Sequence, residues 1–205
     1  YQKFVSIHDG FSNAYTADDR TNYHFEIDPD HLEESLDRFS QFFIGPLFNQ
    51  ELIERELKAV NSEHSKNIPN DFRRIRQVKR KAFEENHPAR NFATGTIDTL
   101  ADITREELLT FYNSHYSSNR MMLAVAGPQD LDSLQQWVVS RFASVKNLNL
   151  NQKRFPSKYM KTDTRFRLMR VKTIKDTRSL TLMFALPKTI HYYKSQPLGM
   201  LGFLL

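Results

Sequence analysis

Alternating apolar and polar positions near the N-terminus predict a hairpin. Tyr23, Phe25 and Ile27 alternate with polar neighbours over residues 21–27, which is the period expected of a strand with one buried face. Residues 13–16 are also strand-like, and the polar residues 17–20 between the two segments predict a turn. The first residues are typical of the end of a helix.

Apolar residues at helical spacing predict several helices after the hairpin. Leu32, Leu36, Phe39 and Phe43 lie on one helix face, and Gly45-Pro46 ends that helix. A long helix is predicted from Asn49, with a break at Pro69 and a second part over residues 71–83. Further helices are predicted from a capping box formed by Thr104 and Glu107, from a cap at Asp130 or Asp132, and from Ser195.

The second half of the chain predicts more strands and a domain boundary. Residues 121–126 are typical of a buried strand, and residues 166–171 and 180–186 also predict strands. Residues 147–152 form a polar linker, so we expect one domain over 1–152 and the start of a similar domain over 153–205. The predicted fold class is α+β, an antiparallel sheet packed with helices and lacking its N-terminal elements.

Composition narrows the class of protein. The chain has 205 residues, of which 40% are hydrophobic and 16 are Phe, so a sizeable core can form. It contains no Cys, which excludes disulfides and thiolate metal sites. No apolar stretch approaches the ~20 residues that a membrane helix needs. Tyr1 is not an initiator Met and residues 198–205 are apolar, so we expect an internal piece of a longer protein.

The formal net charge of +5 is unevenly distributed along the chain. Ten Lys and Arg face two Asp over residues 153–178, and a second basic cluster spans residues 73–81. Such clusters with nearby aromatic residues leave open a nucleic-acid-binding module. In the 73–81 cluster, however, apolar residues recur at helical spacing, which favours the solvated face of an ordinary helix.

Two carboxylates lie on the apolar stripe predicted for the long helix. Ile53, Glu56, Val60 and Glu63 follow one another at spacings of 3, 4 and 3, which places all four on one face. A charged group on a buried face is costly unless it is paired or binds a metal. Either this face is partly buried with each Glu paired to a Lys or Arg, or the two carboxylates serve one site.

Longer motifs around these residues resemble those of a known family. The helix reads Glu54-Arg55-Glu56-x-x-Ala59-Val60-Asn61-Ser62-Glu63-His64, and the segment Gly10-Phe11-Ser12-Asn13-Ala14-Tyr15-Thr16 precedes it. Both are similar to elements of the insulin-degrading enzyme and pitrilysin family of zinc metallopeptidases. Further matches, such as Tyr116-Ser-Ser-Asn119, extend the resemblance over nearly the whole chain.

The resemblance implies a function and roles for four residues. It implies a zinc-dependent endopeptidase in which Glu63 is a metal ligand and Glu56 supports the site from outside the ligand set. Asn13 and Ala14 match a strand whose backbone pairs with an extended peptide substrate. The partners implied are peptide substrates and the remaining domains of the same polypeptide, and a homodimer is left open. A nucleic-acid partner is not favoured, and no membrane partner is expected. The absence of Cys and of a signal-peptide pattern predicts a cytoplasmic location.

The sequence departs from the family at the main zinc motif. The family holds zinc with two His of an inverted H-x-x-E-H motif, whose own Glu activates water, and that motif is absent here. Either it lies upstream of Tyr1 or it is lost in a non-catalytic relative. We therefore expect the chain alone to bind zinc weakly and to lack peptidase activity.

Overall fold

A computed structural model describes residues 1–155, 160, 168–176, 178–184, 186 and 189–204. The chain begins with helix α1 (Gln2–Ile7), followed by the antiparallel strands β1 (Phe11–Thr16) and β2 (Thr21–Glu26). Their register pairs Phe11 with Glu26 and Thr16 with Thr21, so the predicted hairpin is confirmed. Gly10 is required before β1, because a Cβ there would lie 2.4 Å from the Glu26 carbonyl oxygen.

Helices make up most of the remaining regular structure, so the α+β class is confirmed. Pro69 separates the two parts of the long helix, as the sequence predicts. Residues 91–102 contain one short helix, and the helix predicted from Ser195 begins two residues later. The helices after the hairpin are α2 (Leu32–Ile44), α3 (Gln50–Asn67), α4 (Asp71–Arg80), α5 (Ile97–Leu100), α6 (Arg105–His115), α7 (Leu131–Phe142) and α8 (Pro197–Leu204).

Side-chain caps fix where these helices begin. Thr104 Oγ1 accepts the Glu107 N–H at 3.2 Å, and Glu107 Oε2 accepts the Thr104 N–H at 2.8 Å, so the predicted capping box is confirmed. Asp130 is the N-cap of α7, since its Oδ1 accepts the Ser133 N–H at 2.9 Å. These carboxylates also lie at the positive ends of the helix dipoles.

The chain divides into two compact units. Unit 1 comprises residues 1–68 and 91–156, and unit 2 comprises residues 69–90 and 157–205. This division assigns residues 69–90 and 157–205 to the same unit, although they are far apart in sequence. The domain boundary predicted after residue 152 stays a prediction.

The core of unit 1 lies between the hairpin, α2 and α7. Leu32, Leu36 and Leu134 are its buried centre, and Phe25, Ile27, Val125, Trp137 and Phe142 pack around them. Arg141 of α7 lies 3.0 Å from the Glu33 carboxylate and 3.4 Å from the Asp37 carboxylate, both on α2. Apolar burial therefore joins α2 to α7, and an ion-pair network lies at its edge.

The described part of unit 2 is held mainly by polar contacts. Asp71 accepts the backbone N–H groups of Ile174 at 2.9 Å and Lys175 at 3.0 Å. The buried Arg80 donates to the Ala89 carbonyl at 2.6 Å, and Arg90 donates to the Lys81 carbonyl at 2.9 Å. These contacts fix the 172–175 segment and the turn after α4.

Three predicted strands differ from the structure. Residues 121–126 are not a strand, because no described residue pairs with their backbone, and only Val125 packs against the core. Residues 168–171 and 180–184 are also not strands; 166, 167 and 185 lie outside the described residues. An apolar run predicts burial, but a strand also needs a hydrogen-bonded neighbour, which the run itself cannot supply.

Candidate functional site

Helix α3 is oriented by contacts with residues 92–97, which lie at the start of the second segment of unit 1. Asn49 caps the helix by accepting the Glu51 N–H at 2.9 Å. Asn61 Oδ1 accepts the N–H of Ile97 at 3.2 Å, and the His64 ring meets Phe92 edge-on at 5.3 Å. The face of α3 that carries Asn61 and His64 therefore packs against residues 92–97.

The predicted position of the two carboxylates on the buried stripe is wrong. The buried and half-buried stripe of α3 consists of Ile53, Leu57, Val60, Asn61, His64 and Asn67. Glu56 and Glu63 are exposed on its flank. The sequence spacing allows either the stripe with Glu56 and Glu63 or the stripe with Leu57 and His64, because the two differ by one residue at these positions. Packing against residues 92–97 buries the stripe with Leu57 and His64.

Glu56 and Glu63 nevertheless point to the same side of α3. Residues seven apart differ by only about 20° around a helix, and both side chains are exposed. Neither carboxylate makes a hydrogen bond or ion pair with any described residue. The alternative in which each Glu is paired with a Lys or Arg is therefore not what the structure shows. Helix α3 instead presents, on one flank, two carboxylates that pair with none of the described residues.

Strand β1 has an open side. Within the described residues it pairs only with β2, where Asn13 faces His24 and Ala14 faces Tyr23. The Asn13 side chain accepts the N–H of Ala14 at 2.8 Å, which satisfies that donor without another strand. Within the described residues β1 is therefore an edge strand. That the backbone of Asn13 and Ala14 pairs with a peptide substrate stays a prediction.

A metal-binding set is not assembled from the described residues. Among them, no three His, Asp or Glu residues are grouped closely enough to hold a metal ion. The imidazoles are engaged elsewhere: His8 stacks on His31 at 3.6 Å, and His115 stacks on Phe111 at 4.2 Å. The described residues therefore do not form a complete metal site by themselves, and a ligand role for Glu63 stays a prediction.

A cluster of tyrosines was not predicted from the sequence. The hydroxyls of Tyr23 and Tyr116 lie 2.6 Å apart, and the rings of Tyr112 and Tyr116 stack at 4.6 Å. Burial raises the pKa of Tyr23, and the hydrogen bond to Tyr116 raises it further. The spacing of Tyr112 and Tyr116 predicts their stacking, but nothing local in the sequence points to Tyr23.

The basic clusters are only partly available to a ligand. In the cluster over residues 73–81, Arg80 is buried, whereas Arg73 and Arg76 are exposed. Lys158, Lys161, Arg165 and Arg167, of the cluster over 153–178, lie outside the described residues. A cavity of about 280 Å³ has no acidic residue and no His in its lining, which consists of Thr189, Tyr192, Tyr193, Gln196, Pro197, Leu198 and Gly199. None of the described helices has the length and apolarity that crossing a membrane requires.

Comparisons with known proteins match almost the whole chain. A family model described as "Insulinase (Peptidase family M16)" matches residues 1–86, and one described as "Peptidase M16 inactive domain" matches residues 102–205. Human insulin-degrading enzyme is 40% identical over 213 residues, covering 100% of this chain and 21% of that protein. The peroxisomal insulin-degrading enzyme-like 1 of Arabidopsis thaliana is also 40% identical, over 100% of this chain and 22% of its own length.

Two further matches extend this result. The mug138 protein of Schizosaccharomyces pombe, whose name describes it as a zinc protease, is 40% identical over 96% of this chain and 21% of its own. The crystal structure of pitrilysin matches with a TM-score of 0.74 and 27% identity, over 78% of this chain and 18% of that chain. The chain therefore spans about a fifth of the length of the curated relatives it matches.

Proposed function

Because this chain belongs to the insulinase family, peptidase family M16, we propose that the protein containing it is a zinc-dependent endopeptidase that hydrolyses peptides. The observation that carries the proposal is the pair of exposed, unpaired carboxylates on one flank of α3. An unpaired carboxylate is available as a ligand without first breaking an ion pair.

In this proposal Glu63 is the anionic ligand of the zinc ion and Glu56 supports the site. When bound, zinc supplies Lewis acidity toward water and toward the scissile carbonyl. Glu63 adds one negative charge to the ligand set, and Glu56 adds a second charge on the same helix flank. The proposal requires the two imidazole ligands and the water-activating Glu to come from residues outside this sequence, which itself contains no H-x-x-E-H.

Strand β1 is proposed to bind the substrate backbone. An edge strand offers unpaired N–H and C=O groups, to which an extended peptide can add as a further strand. The side chains along β1 are mostly small or polar, including Ser12, Asn13 and Ala14, so another backbone can approach closely. Binding at Ala14 would replace the contact that Asn13 now makes with its N–H.

The metal assignment is tested in the intact protein by Glu63→Gln. We expect loss of peptide cleavage and weaker zinc binding, measured as metal content after dialysis against a graded chelator. Glu56→Gln should weaken zinc binding less, since groups beside the ligand set typically account for about 10–100-fold. Glu54→Gln is the matched control, because Glu54 is exposed on the same helix. Unchanged zinc content and rate in Glu63→Gln would remove it from the site.

The role of β1 is tested with a set of substrate peptides, each N-methylated at one backbone nitrogen. Methylation at positions that donate to β1 should raise KM about tenfold, because a hydrogen bond is lost and a methyl group blocks the strand. Methylation at the intervening positions should have little effect. A flat response along the peptide would show that the substrate does not bind as an added strand.

The proposed location is the cytoplasm. A chain with 0 Cys gains nothing from an oxidising compartment. The peroxisomal relative shows that a similar protein works in an organelle, so imaging of the tagged intact protein is the appropriate test.

A further inference from the structure

One face of α4 carries two arginines and a phenylalanine that point into solvent. Arg73 and Arg76 are exposed, and Phe72 has a relative exposure of 72%. Arg76 follows Phe72 by four residues and Arg73 by three, so the three side chains are neighbours on the helix surface. We call these three residues the basic face of α4.

The opposite face of α4 is occupied by its own unit. Asp71 holds the 172–175 segment through the N–H groups of Ile174 and Lys175, and Arg74 pairs with Asp71 at 3.2 Å. Arg74 also donates to the Lys172 carbonyl at 3.4 Å. The one carboxylate on α4 is therefore used internally, and it does not neutralise the basic face.

Folding does not account for the basic face. Neither Arg73 nor Arg76 makes a hydrogen bond or ion pair through its side chain with any described residue. Two like charges three residues apart on a helix destabilise it slightly. The exposed ring of Phe72 beside them is not stabilised by burial either. A ligand with negative charge and some apolar surface would compensate both costs.

The geometry points to a docking surface for acidic segments of peptide substrates, an inference that rests on the proposed peptidase function. Neighbouring positions on a helix face are about 5–6 Å apart at Cβ. In an extended peptide, alternate side chains share one face about 7 Å apart. A peptide with acidic residues at alternate positions could therefore place one carboxylate on Arg73 and one on Arg76, where each guanidinium can bind it bidentately.

A peptide fits this face better than a nucleic acid does. Sequence-independent binding to nucleic acid gains its affinity from many phosphate contacts, typically 6–10. The basic face has two unpaired guanidinium groups on a helix of 10 residues. Two contacts suffice for a short acidic segment, and Phe72 can cover an apolar side chain of that segment.

The test is binding of a short fluorescein-labelled peptide with alternating Glu and Leu, measured by anisotropy on the intact protein with chelator present to prevent cleavage. A peptide with Gln in place of Glu is compared in parallel. We expect the acidic peptide to bind more tightly, and the double variant Arg73→Gln/Arg76→Gln to weaken it about three- to tenfold. The affinity of Arg73→Lys/Arg76→Lys should lie between those of the unchanged protein and of the double Gln variant. Lysine keeps the positive charge but lacks the planar guanidinium that binds a carboxylate bidentately.

The control is Arg120→Gln/Arg154→Gln, which removes the same charge from two other exposed arginines. An equal loss of affinity in the control would overturn the inference, as would tighter binding of a single-stranded oligonucleotide of equal charge. Cleavage of the Gln peptide, measured separately with zinc, tests the proposed function. Normal cleavage without preference for the acidic peptide removes only the docking surface. Binding of the acidic peptide without cleavage of either peptide removes the peptidase assignment, and with it the substrate role of the basic face.

Discussion

Unit 1 is held together by apolar burial, whereas the described part of unit 2 is held by hydrogen bonds between charged side chains and the backbone. In unit 1, Leu36 is 1% exposed and Leu134 is 6% exposed within one continuous core. In the described part of unit 2, Ala82 and Arg80 are the buried residues. Apolar burial is non-directional, but each polar contact of unit 2 depends on one geometry.

The two units also differ in charge. Unit 1 carries 12 Lys and Arg against 19 Asp and Glu, a formal charge of −7, and unit 2 carries 17 against 5, a formal charge of +12. The net charge of +5 is therefore the sum of a negative charge on unit 1 and a larger positive charge on unit 2. An acidic unit suits the proposed cation ligand Glu63 and its supporting Glu56, and a basic unit suits an acidic peptide.

The largest expected effect is the loss of a core side chain in unit 1. Leu134→Ala should lower the free energy of unfolding by about 2–5 kcal/mol, because it leaves a cavity between α2 and α7. Leu131→Ala, on the same helix but 82% exposed, should change it by less than about 0.5 kcal/mol. Denaturant unfolding measures both.

Amide exchange shows whether that effect is confined to unit 1. In Leu134→Ala, exchange should accelerate in α2 and α7 and remain unchanged in α4. Equal acceleration in α4 would show that the core of unit 1 also stabilises unit 2, and the contrast between the units would fail.

The next effect concerns the polar contacts of unit 2. Arg80→Met removes a buried guanidinium that donates to the Ala89 carbonyl at 2.6 Å. Hydrogen bonds from charged groups contribute about 1.5–3 kcal/mol, so a loss of that size is expected, with faster exchange in the turn over residues 88–90. Lys81→Met is the control, because its side chain is exposed. If Arg80→Met is as stable as the control, packing rather than polar contact holds this turn.

Local signals in the sequence predicted most of the helices and the hairpin. The alternation around Tyr23 and Phe25, the capping box of Thr104 and Glu107, and the break at Pro69 each involve residues close together in the chain. Their physical causes are equally local: the pleat of a strand, an N-terminal hydrogen bond, and a ring without an N–H. This is why these elements are confirmed.

What the sequence did not predict depends on distant partners. Packing of Asn61 and His64 on residues 92–97 decides which stripe of α3 is buried, and hence that Glu56 and Glu63 are exposed. The contact of Asp71 with residues 174 and 175 spans more than one hundred residues. The roles of Glu56, Glu63, Asn13 and Ala14 came from the resemblance, and they stay predictions.

Alkaline pH should loosen unit 1 through its half-buried tyrosines. Burial raises the pKa of Tyr1 to about 12, and burial also raises the pKa of Tyr23 and Tyr112. A raised pKa means that the folded state holds the proton more tightly. The stabilisation is therefore complete below the ordinary tyrosine pKa of about 10 and is lost as pH rises toward 12.

The measurement is unfolding between pH 9 and 12, with tyrosinate absorbance recorded in parallel. Tyr23→Phe should reduce the loss of stability at alkaline pH, because it removes one of the two hydroxyls, those of Tyr23 and Tyr116, that are hydrogen-bonded to each other. Tyr193→Phe in unit 2, where the ring is 66% exposed, is the control and should leave the profile unchanged. A profile insensitive to Tyr23→Phe would assign the alkaline loss to other groups.

Acid should release the 172–175 segment of unit 2, and this is the smallest of the four effects predicted for the two units. Hydrogen bonds from the backbone N–H groups of Lys175 and Ile174, with a smaller contribution from Arg74, lower the pKa of Asp71 below its ordinary value. A lowered pKa means that the contact is fully present above about pH 4, the ordinary Asp value, and is lost as pH falls through the folded-state pKa. Amide exchange at Ile174 and Lys175, corrected for the intrinsic pH dependence, should therefore accelerate below about pH 4.

Asp71→Asn should show faster exchange already at neutral pH and no further acid step, because a neutral amide accepts these N–H groups more weakly than a carboxylate. An acid step that persists in Asp71→Asn would mean that another carboxylate holds the segment, and the polar contact that distinguishes unit 2 from unit 1 would have to be reassigned.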